Sequence, residues 1–359
     1  MTPALFLNGK FAAQRTTGVQ RVAEQLLRAL DAEVPVGRWT LLCPPQARPP
    51  ALQRIAVRVV GPAGLPLHLW EQAVLPWAAR GGCLVNLAGT APALARRQVA
   101  MLHDAAVFDH PQAYTRAFVA WYRWLHRRLA RQALALFTVS AFSRQQLAVA
   151  LALPPARFTV LHNGAGHLEG IQADETVLDR FGLRGQTFVL AVGSANPTKN
   201  LTRLMAAWQV VQPAGVRLVL VGGSNTQVFA GADAALPAGV LRTGPLGDAP
   251  LAALYRHAIG LVFPSIYEGF GLPPLEAMAS GCPVAVARAA SLPEVCGDAA
   301  LYFDPLDPAD IAAALQRLLH EPALRAQLRT AGLARAAGFC WADAAAGLRA
   351  ALRAQGLPA

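Results

Sequence analysis

Glu268 and Glu276 stand with seven residues between them in the run P-S-I-Y-E-G-F-G-L-P-P-L-E-A-M-A-S-G-C-P-V, residues 264–284. The run before it, around Val262 and Phe263, is apolar as a buried strand is. Gly269, Phe270 and Gly271 then make a turn. Pro273 and Pro274 suit the first turn of a helix, where a missing N–H costs nothing. Leu275 and Met278 recur at helical spacing, and Gly281 and Pro283 end the helix before a second strand over 284–287. A helix N-terminus offers unpartnered N–H groups and a partial positive charge, so it binds phosphate. Carboxylates beside it repel phosphate and instead accept hydrogen bonds from hydroxyls. A nucleotide sugar carries both kinds of group.

Taken alone, such a pair is more often one helix-surface carboxylate and one loop charge. Lys199 changes the balance. It lies in G-S-A-N-P-T-K-N-L (193–201), between a strand over 188–192 and a helix over 201–211, where an ammonium can face a pyrophosphate. The chain has two lysines, Lys10 and Lys199, against 30 arginines, so a compact cation here is a departure from the local bias. A solvent-exposed loop lysine is the alternative.

The elements that must position these residues follow from the rest of the 359-residue chain. Its length predicts two domains, each with its own core. A hydrophobic fraction of 54% and a charged fraction of 15% describe a globular protein. No apolar run approaches the roughly 18 residues that span a bilayer, and residues 1–15 lack the layout of a signal peptide. Five cysteines without C-x-x-C spacing predict reduced thiols, with neither a disulfide framework nor a zinc site. The expected compartment is the cytoplasm. Net charge is uneven: residues 1–163 hold 18 Lys and Arg against 6 Asp and Glu, and residues 164–359 hold 14 against 15. A basic first half favours an anionic partner.

In that half, apolar runs at 5–8, 39–43, 55–60, 84–87, 99–103, 135–139 and 158–162 alternate with candidate helices. This predicts an α/β domain around a parallel sheet. Gly18 opens an amphipathic helix over 16–30 where a ligand can approach the backbone, although a full G-x-G-x-x-G is absent. His103 and Asp104 follow the end of a strand, the usual place for ligands in such sheets. A histidine satisfied by a neighbouring carbonyl is the competing reading. A helix over 114–134 carries Arg123, Arg127 and Arg131 every four residues, with Trp124 and Arg128 beside them. This row reads either as contact with anionic lipid or as a solvated basic face. Ser140 or Ser143 caps the next helix. Residues 165–185 lack periodicity and are taken as the domain junction. The strand–helix rhythm then restarts, with strands at 188–192, 218–221, 261–263 and 283–286, and residues 307–355 are mostly helical.

With these segments placed, nearly the whole chain resembles the family 4 glycosyltransferases, retaining nucleotide-sugar-dependent enzymes of the GT-B fold. The resemblance rests on A-V-G-S-A-N-P-T-K-N-L (191–201), the 264–284 run, S-L-P-E-V-C-G-D-A-A (291–300), H-D-A-A-V-F (103–108), V-S-A-F-S (139–143) and L-H-N-G (161–164). It implies two Rossmann-like domains with parallel sheets facing across a cleft. An acceptor-binding domain would cover 1–165, joined by a C-terminal helix at 341–355, and a nucleotide-sugar domain would cover 186–338. It implies that Glu276 binds the ribose hydroxyls and that Glu268 contacts the transferred sugar. Lys199 and Ser194 would meet the diphosphate, with the backbone of Gly269, Phe270, Gly271 and Leu272. Gly18 would close on the same phosphates, and His103 would reach the sugar or the acceptor. The base would lie near residues 244–246, and Asp104, Arg123 and Arg127 would face the acceptor side. In one departure, Thr198 precedes the lysine and Ser194 follows Gly193, where family members often carry basic residues. Arg203, one turn on, is the candidate to compensate.

The implied chemistry is departure of a nucleoside diphosphate through an oxocarbenium-like state, with same-face attack by the acceptor. Glu268, Lys199 and His103 are the candidate catalytic residues. No D-x-D pair is present to hold a divalent metal, so no cofactor is expected. GDP-mannose is the leading donor, with UDP- and dTDP-hexoses as rivals. The expected acceptor is a saccharide or a polyprenyl-diphosphate-linked saccharide of a surface polysaccharide such as an O-antigen, met at an anionic membrane face. A sugar-nucleotide epimerase and a non-catalytic nucleotide-binding module are the rival classes. No interleaved aromatic–basic motif points to nucleic acid.

Overall fold

The computed structural model describes residues 4–223 and 236–359. Its chain divides into two compact units. One holds the chain up to Asp109, Arg116–Gly164 and Cys340–Ala359, and the other holds His110–Thr115 and Ala165–Phe339.

The first unit is built on a seven-stranded sheet. Its strands are β1 (Leu5–Asn8), β2 (Trp39–Cys43), β3 (Ala56–Val59), β4 (Cys83–Asn86), β5 (Gln98–Met101), β6 (Leu136–Thr138) and β7 (Phe158–Val160). All pair in parallel in the order β3-β2-β1-β4-β5-β6-β7. β1 and β4 are buried at every position and β3 at none, as expected for inner strands covered on both faces and an edge. The Gly18–Glu33 helix turns Val22, Ala23, Leu26, Leu27 and Leu30 inward. The Trp341–Ala354 helix packs on it, and Arg349 pairs with Glu33 at 2.7 Å. Ser140 caps the Ala141–Leu151 helix by accepting the Ser143 N–H.

The second unit carries β8 (Thr187–Val192), β9 (Val216–Val221), β10 (Val240–Gly244), β11 (Gly260–Phe263), β12 (Val284–Ala287) and β13 (Leu301–Phe303). These too are parallel, in the order β10-β9-β8-β11-β12-β13. β10 and β13 are additions to the strands predicted from sequence. β10 is a half-buried edge strand whose apolar run is broken by Arg242 and Thr243, and β13 is a short strand of three residues.

Residues 165–185 differ from the expected junction. They contain the Gly166–Leu168 turn and the Thr176–Arg180 helix, and Asp174 N–H bonds the Ala249 carbonyl within the second unit. They are held by partners distant in sequence, including Glu175 with His257 at 2.8 Å and His167 with Glu276 at 2.9 Å, which leave no periodic trace in sequence.

Each sheet reverses its strand order once: between β1 and β4 in the first, and between β8 and β11 in the second. At such a switch point the loops leaving two adjacent strands part, and the carboxyl ends of the strands frame a crevice.

Candidate active site

The loops leaving β8 and β11 at the second switch point carry Lys199 and Glu268. After β8 the chain must pass very close to the end of β9. A Cβ on Gly222 would lie 1.9 Å from the Gly193 carbonyl oxygen, so that position has no room for a side chain. Asn196 caps the Pro197–Lys199 turn, accepting the Thr198 N–H at 2.9 Å and the Thr198 hydroxyl at 3.0 Å. Asn200 follows in the left-handed region at φ 57°, which asparagine tolerates better than most residues. Its amide donates to the Pro264 carbonyl at 3.1 Å and the Pro305 carbonyl at 2.7 Å. The Ile266 N–H donates to the Thr198 carbonyl at 2.8 Å. Three loops are thereby held to one another by backbone groups that would otherwise be buried unpaired.

Within this frame the Lys199 ammonium meets the Glu268 carboxylate at 2.5 Å, with side-chain exposures of 22% and 12%. Ser291, from the S-L-P-E motif, donates its hydroxyl to the Glu268 carbonyl at 2.9 Å and so fixes the backbone of that residue. Ser265, next to Pro264, is buried, and its hydroxyl has no hydrogen-bond partner among the described residues.

The Leu272–Ala279 helix starts directly behind the glycine turn. Gly271 takes φ 97° as its N-cap, and a Cβ there would stand 2.6 Å from the Leu292 side chain. Gly271 has no side chain with which to cap the helix. Because Pro273 and Pro274 have no N–H, the donors of the first turn reduce to those near Gly271, Leu272 and Leu275. Phe270 is buried and meets Phe339 edge-to-face at 5.7 Å. Glu276 lies on the buried face of the helix, 4% exposed. Its Oε1 pairs with His167 Nε2 at 2.9 Å, and its Oε2 accepts the Tyr255 hydroxyl at 3.0 Å. Neither partner was singled out from sequence, where nothing local ties them to the glutamate.

Ser194 is half-buried in the loop that carries Lys199. Thr198 is buried inside its turn, and Arg203 is exposed and donates to the Asn200 side chain at 3.0 Å. Arg203 therefore braces the residue that joins the three loops.

In the first unit, Gly18 is exposed at the start of its helix, with nothing within 4 Å of where a Cβ would be. His103 is buried, and its Nε2–H donates to the Leu87 carbonyl at 2.8 Å. Burial pushes its pKa down to about 4 against the opposing effect of that bond, so the ring is neutral with Nδ1 as its acceptor. Asp104 accepts the Ala106 N–H at 2.8 Å and so caps the Ala106–Asp109 helix. Arg123 corrects the basic row read from sequence. It is half-buried, donates to the carbonyls of Val107 at 2.8 Å and Phe108 at 3.1 Å, and covers the Phe108 ring. Arg127 and Arg131 are exposed.

The first switch point is filled from within. Lys10, just after β1, pairs with Glu71 at 2.7 Å, with side-chain exposures of 2% and 1%. Glu71 also accepts from Asn8 at 3.0 Å and Thr90 at 2.7 Å, and Asn8 donates to Asn86 at 3.0 Å. Both lysines of the chain thus follow the first strand of a sheet and pair with a glutamate, one sealed and one accessible. Among the described residues no three His, Cys, Asp or Glu side chains are grouped to hold a metal ion.

Two parallel sheets of this kind, in two units of one chain, are those of the GT-B glycosyltransferases, and the chain is a glycosyltransferase of that fold. It belongs to the family described as glycosyl transferases group 1, whose pattern its residues 186–321 match. The O-antigen chain mannosyltransferase B of Escherichia coli is 33% identical over 256 residues, which cover 68% of this chain and 67% of that protein. The serotype-specific mannosyltransferase WbdA of Escherichia coli is 32% identical over 48% of this chain, a stretch that amounts to 22% of the longer relative. Among solved structures, Anabaena HepE in complex with UDP and glucose superposes with a TM-score of 0.74 at 18% identity, covering 99% of this chain and all of that one.

Proposed function

We propose that the chain is a retaining, metal-independent hexosyltransferase that moves mannose from GDP-mannose to a saccharide or polyprenyl-diphosphate-linked saccharide in surface-polysaccharide synthesis. The observation that carries this reading is the Lys199–Glu268 pair in the loops that precede the Leu272–Ala279 helix, whose N-cap is Gly271. The names of the similar proteins, O-antigen and serotype-specific mannosyltransferases, favour mannose as the sugar and an O-antigen-type glycan as the product.

In this reading the donor diphosphate lies against the Leu272 N–H and the turn formed by Gly269, Phe270 and Gly271. Lys199 turns from Glu268 toward the phosphate as negative charge grows on the leaving group. Electrostatic help of this kind, aimed at charge that develops in the transition state, is commonly the largest catalytic contribution. Glu268, released from the ammonium, accepts hydroxyls of the transferred sugar. Glu276 accepts the ribose hydroxyls, and the base lies near residues 244–246. The departing phosphate takes the proton of the acceptor, which attacks from the face the diphosphate leaves. Neutral His103 accepts a sugar or acceptor hydroxyl at Nδ1. The helix N-terminus and Lys199 do the work of a divalent cation, so turnover survives chelation by EDTA. Catalysis takes place in the cytoplasm at the inner membrane face.

A thermal-shift panel of GDP-mannose, UDP-glucose, UDP-galactose and dTDP-glucose tests the donor, because a bound nucleotide sugar stabilises the fold by mass action. Stabilisation by a UDP-sugar alone rejects GDP-mannose. Release of nucleoside diphosphate that needs an added acceptor separates transfer from epimerisation, and the anomeric configuration of the product, read by NMR, tests retention.

A further inference from the structure

Glu276 is held by two side chains that belong to no motif of the family resemblance. His167 comes from the Gly166–Leu168 turn, 109 residues away, and its side chain is fully buried. Tyr255 comes from the Asp248–His257 helix and is also fully buried. One donates to each oxygen of the carboxylate, at 2.9 and 3.0 Å. The turn bearing His167 is itself fixed, since the Ala165 N–H bonds the Phe339 carbonyl at 3.0 Å and Leu168 is buried.

A carboxylate that binds a vicinal diol takes one hydroxyl on each oxygen, so the plane of the carboxylate must match the plane of the diol. A glutamate on a helix has three rotatable side-chain bonds, and ordering them at the moment of binding weakens affinity. Donors from two separate elements, one per oxygen, set that plane before a ligand arrives. A mere need to satisfy a buried carboxylate would be met by donors on one oxygen or by backbone N–H groups.

We infer that His167 and Tyr255 are positioning residues that set the Glu276 carboxylate for the ribose 2′,3′-diol of a nucleoside diphosphate. The inference rests on the reading of Glu276 given under the proposed function. His167 acts through its Nε2–H, so glutamine, whose amide can donate from a similar reach, replaces it in part, and phenylalanine does not.

The test is calorimetric titration of the full chain with GDP and UDP and with their 2′,3′-dideoxy counterparts. Wild type, His167→Phe, His167→Gln and Tyr255→Phe are compared. Wild type prefers the ribonucleotide it binds by roughly tenfold or more, the value of about one charge-assisted hydrogen bond. His167→Phe and Tyr255→Phe lose most of that preference and bind the dideoxy compound within about threefold of wild type. His167→Gln keeps most of it. Should His167→Phe fail to fold, the glutamine and Tyr255 variants carry the comparison. Variants that weaken both nucleotides equally, or that discriminate as wild type does, overturn the inference and leave the Glu276 reading standing. A wild-type chain indifferent to the missing diol overturns both.

Discussion

At the Lys199–Glu268 pair the ammonium already has a carboxylate partner, so a diphosphate bound as proposed would compete with Glu268 for it. This sets opposite signs for the two functions of the site. In Glu268→Ala the ammonium loses its partner and is free for phosphate, so nucleoside diphosphate affinity stays within about threefold of wild type or rises. Turnover should fall at least about a hundredfold, because the proposed contact with the reacting sugar is removed. Steady-state rates set beside calorimetric affinities check the split, and a parallel loss of both sinks this division of roles. His103 gives a different signal. Burial lowers the pKa of His103 and of His126 to about 4, against an ordinary value of 6.5. The unfolded chain therefore binds more protons than the folded one between these values. The associated stability is fully present above pH 6.5 and is lost as pH falls toward 4, by up to about 3 kcal/mol for each ring. Thermal unfolding followed from pH 7 to pH 4.5 should show this loss, with a shallower slope in His126→Leu. The glutamates and Lys199 could be read in sequence because the turn, the helix start and the prolines stand beside them. His167 and Lys10 could not. Their partners lie 109 and 61 residues away, and a buried pair at that separation follows only from how the strands are ordered.

Between elements, the sealed Lys10–Glu71 pair joins the loop after β1 to the 89–94 loop and to the Trp70–Val74 helical turn. Removing one partner of a buried ion pair leaves the other charge uncompensated, at a cost of about 3–5 kcal/mol. Lys10→Met should lose about that much in urea unfolding. Lys10→Met combined with Glu71→Leu should recover part of it, though Asn8 and Thr90 then lose their acceptor. A double variant no better than the single one would show that packing, and not the stranded charge, sets the cost. The Gly271 turn has a narrower tolerance. Alanine there adds strain from φ 97° and a 2.6 Å approach to Leu292, so Gly271→Ala displaces the start of the Leu272–Ala279 helix. About 1–3 kcal/mol of stability and most of the nucleotide affinity are expected to go with it, by the same two measurements. Inner strands were readable because burial on both faces makes them continuous apolar runs. β10 was not, since Arg242 and Thr243 break its run, and β13 was missed as well.

Over the whole molecule the charge asymmetry is sharper by unit than by position along the chain. The unit that includes Cys340–Ala359 has 20 Lys and Arg against 7 Asp and Glu, leaving 12 against 14 for the other. The basic row of the Arg116–Gln132 helix is shorter than its sequence spacing suggests, because the guanidinium of Arg123 donates to carbonyls of the Ala106–Asp109 helix and that of Arg128 to the Ala93 carbonyl. What remains outside is Arg116, Trp124, Arg127 and Arg131, with Trp124 47% exposed. No described helix is long and apolar enough to cross a membrane. In the proposed reaction the contact with an anionic bilayer is made by this surface. An indole with arginines beside it suits the headgroup layer, where each basic residue near the surface contributes about 1 kcal/mol. Arg116→Glu with Arg131→Glu reverses two exposed charges that belong to no part of the proposed site. It should lower sedimentation with phosphatidylglycerol vesicles at least about tenfold at low salt, while GDP-mannose turnover on a water-soluble acceptor stays unchanged. Wild-type binding should also fall away as salt rises. Sedimentation that is absent at low salt, or indifferent to both salt and the charge reversal, would remove the membrane from the proposed reaction and leave the acceptor a soluble saccharide.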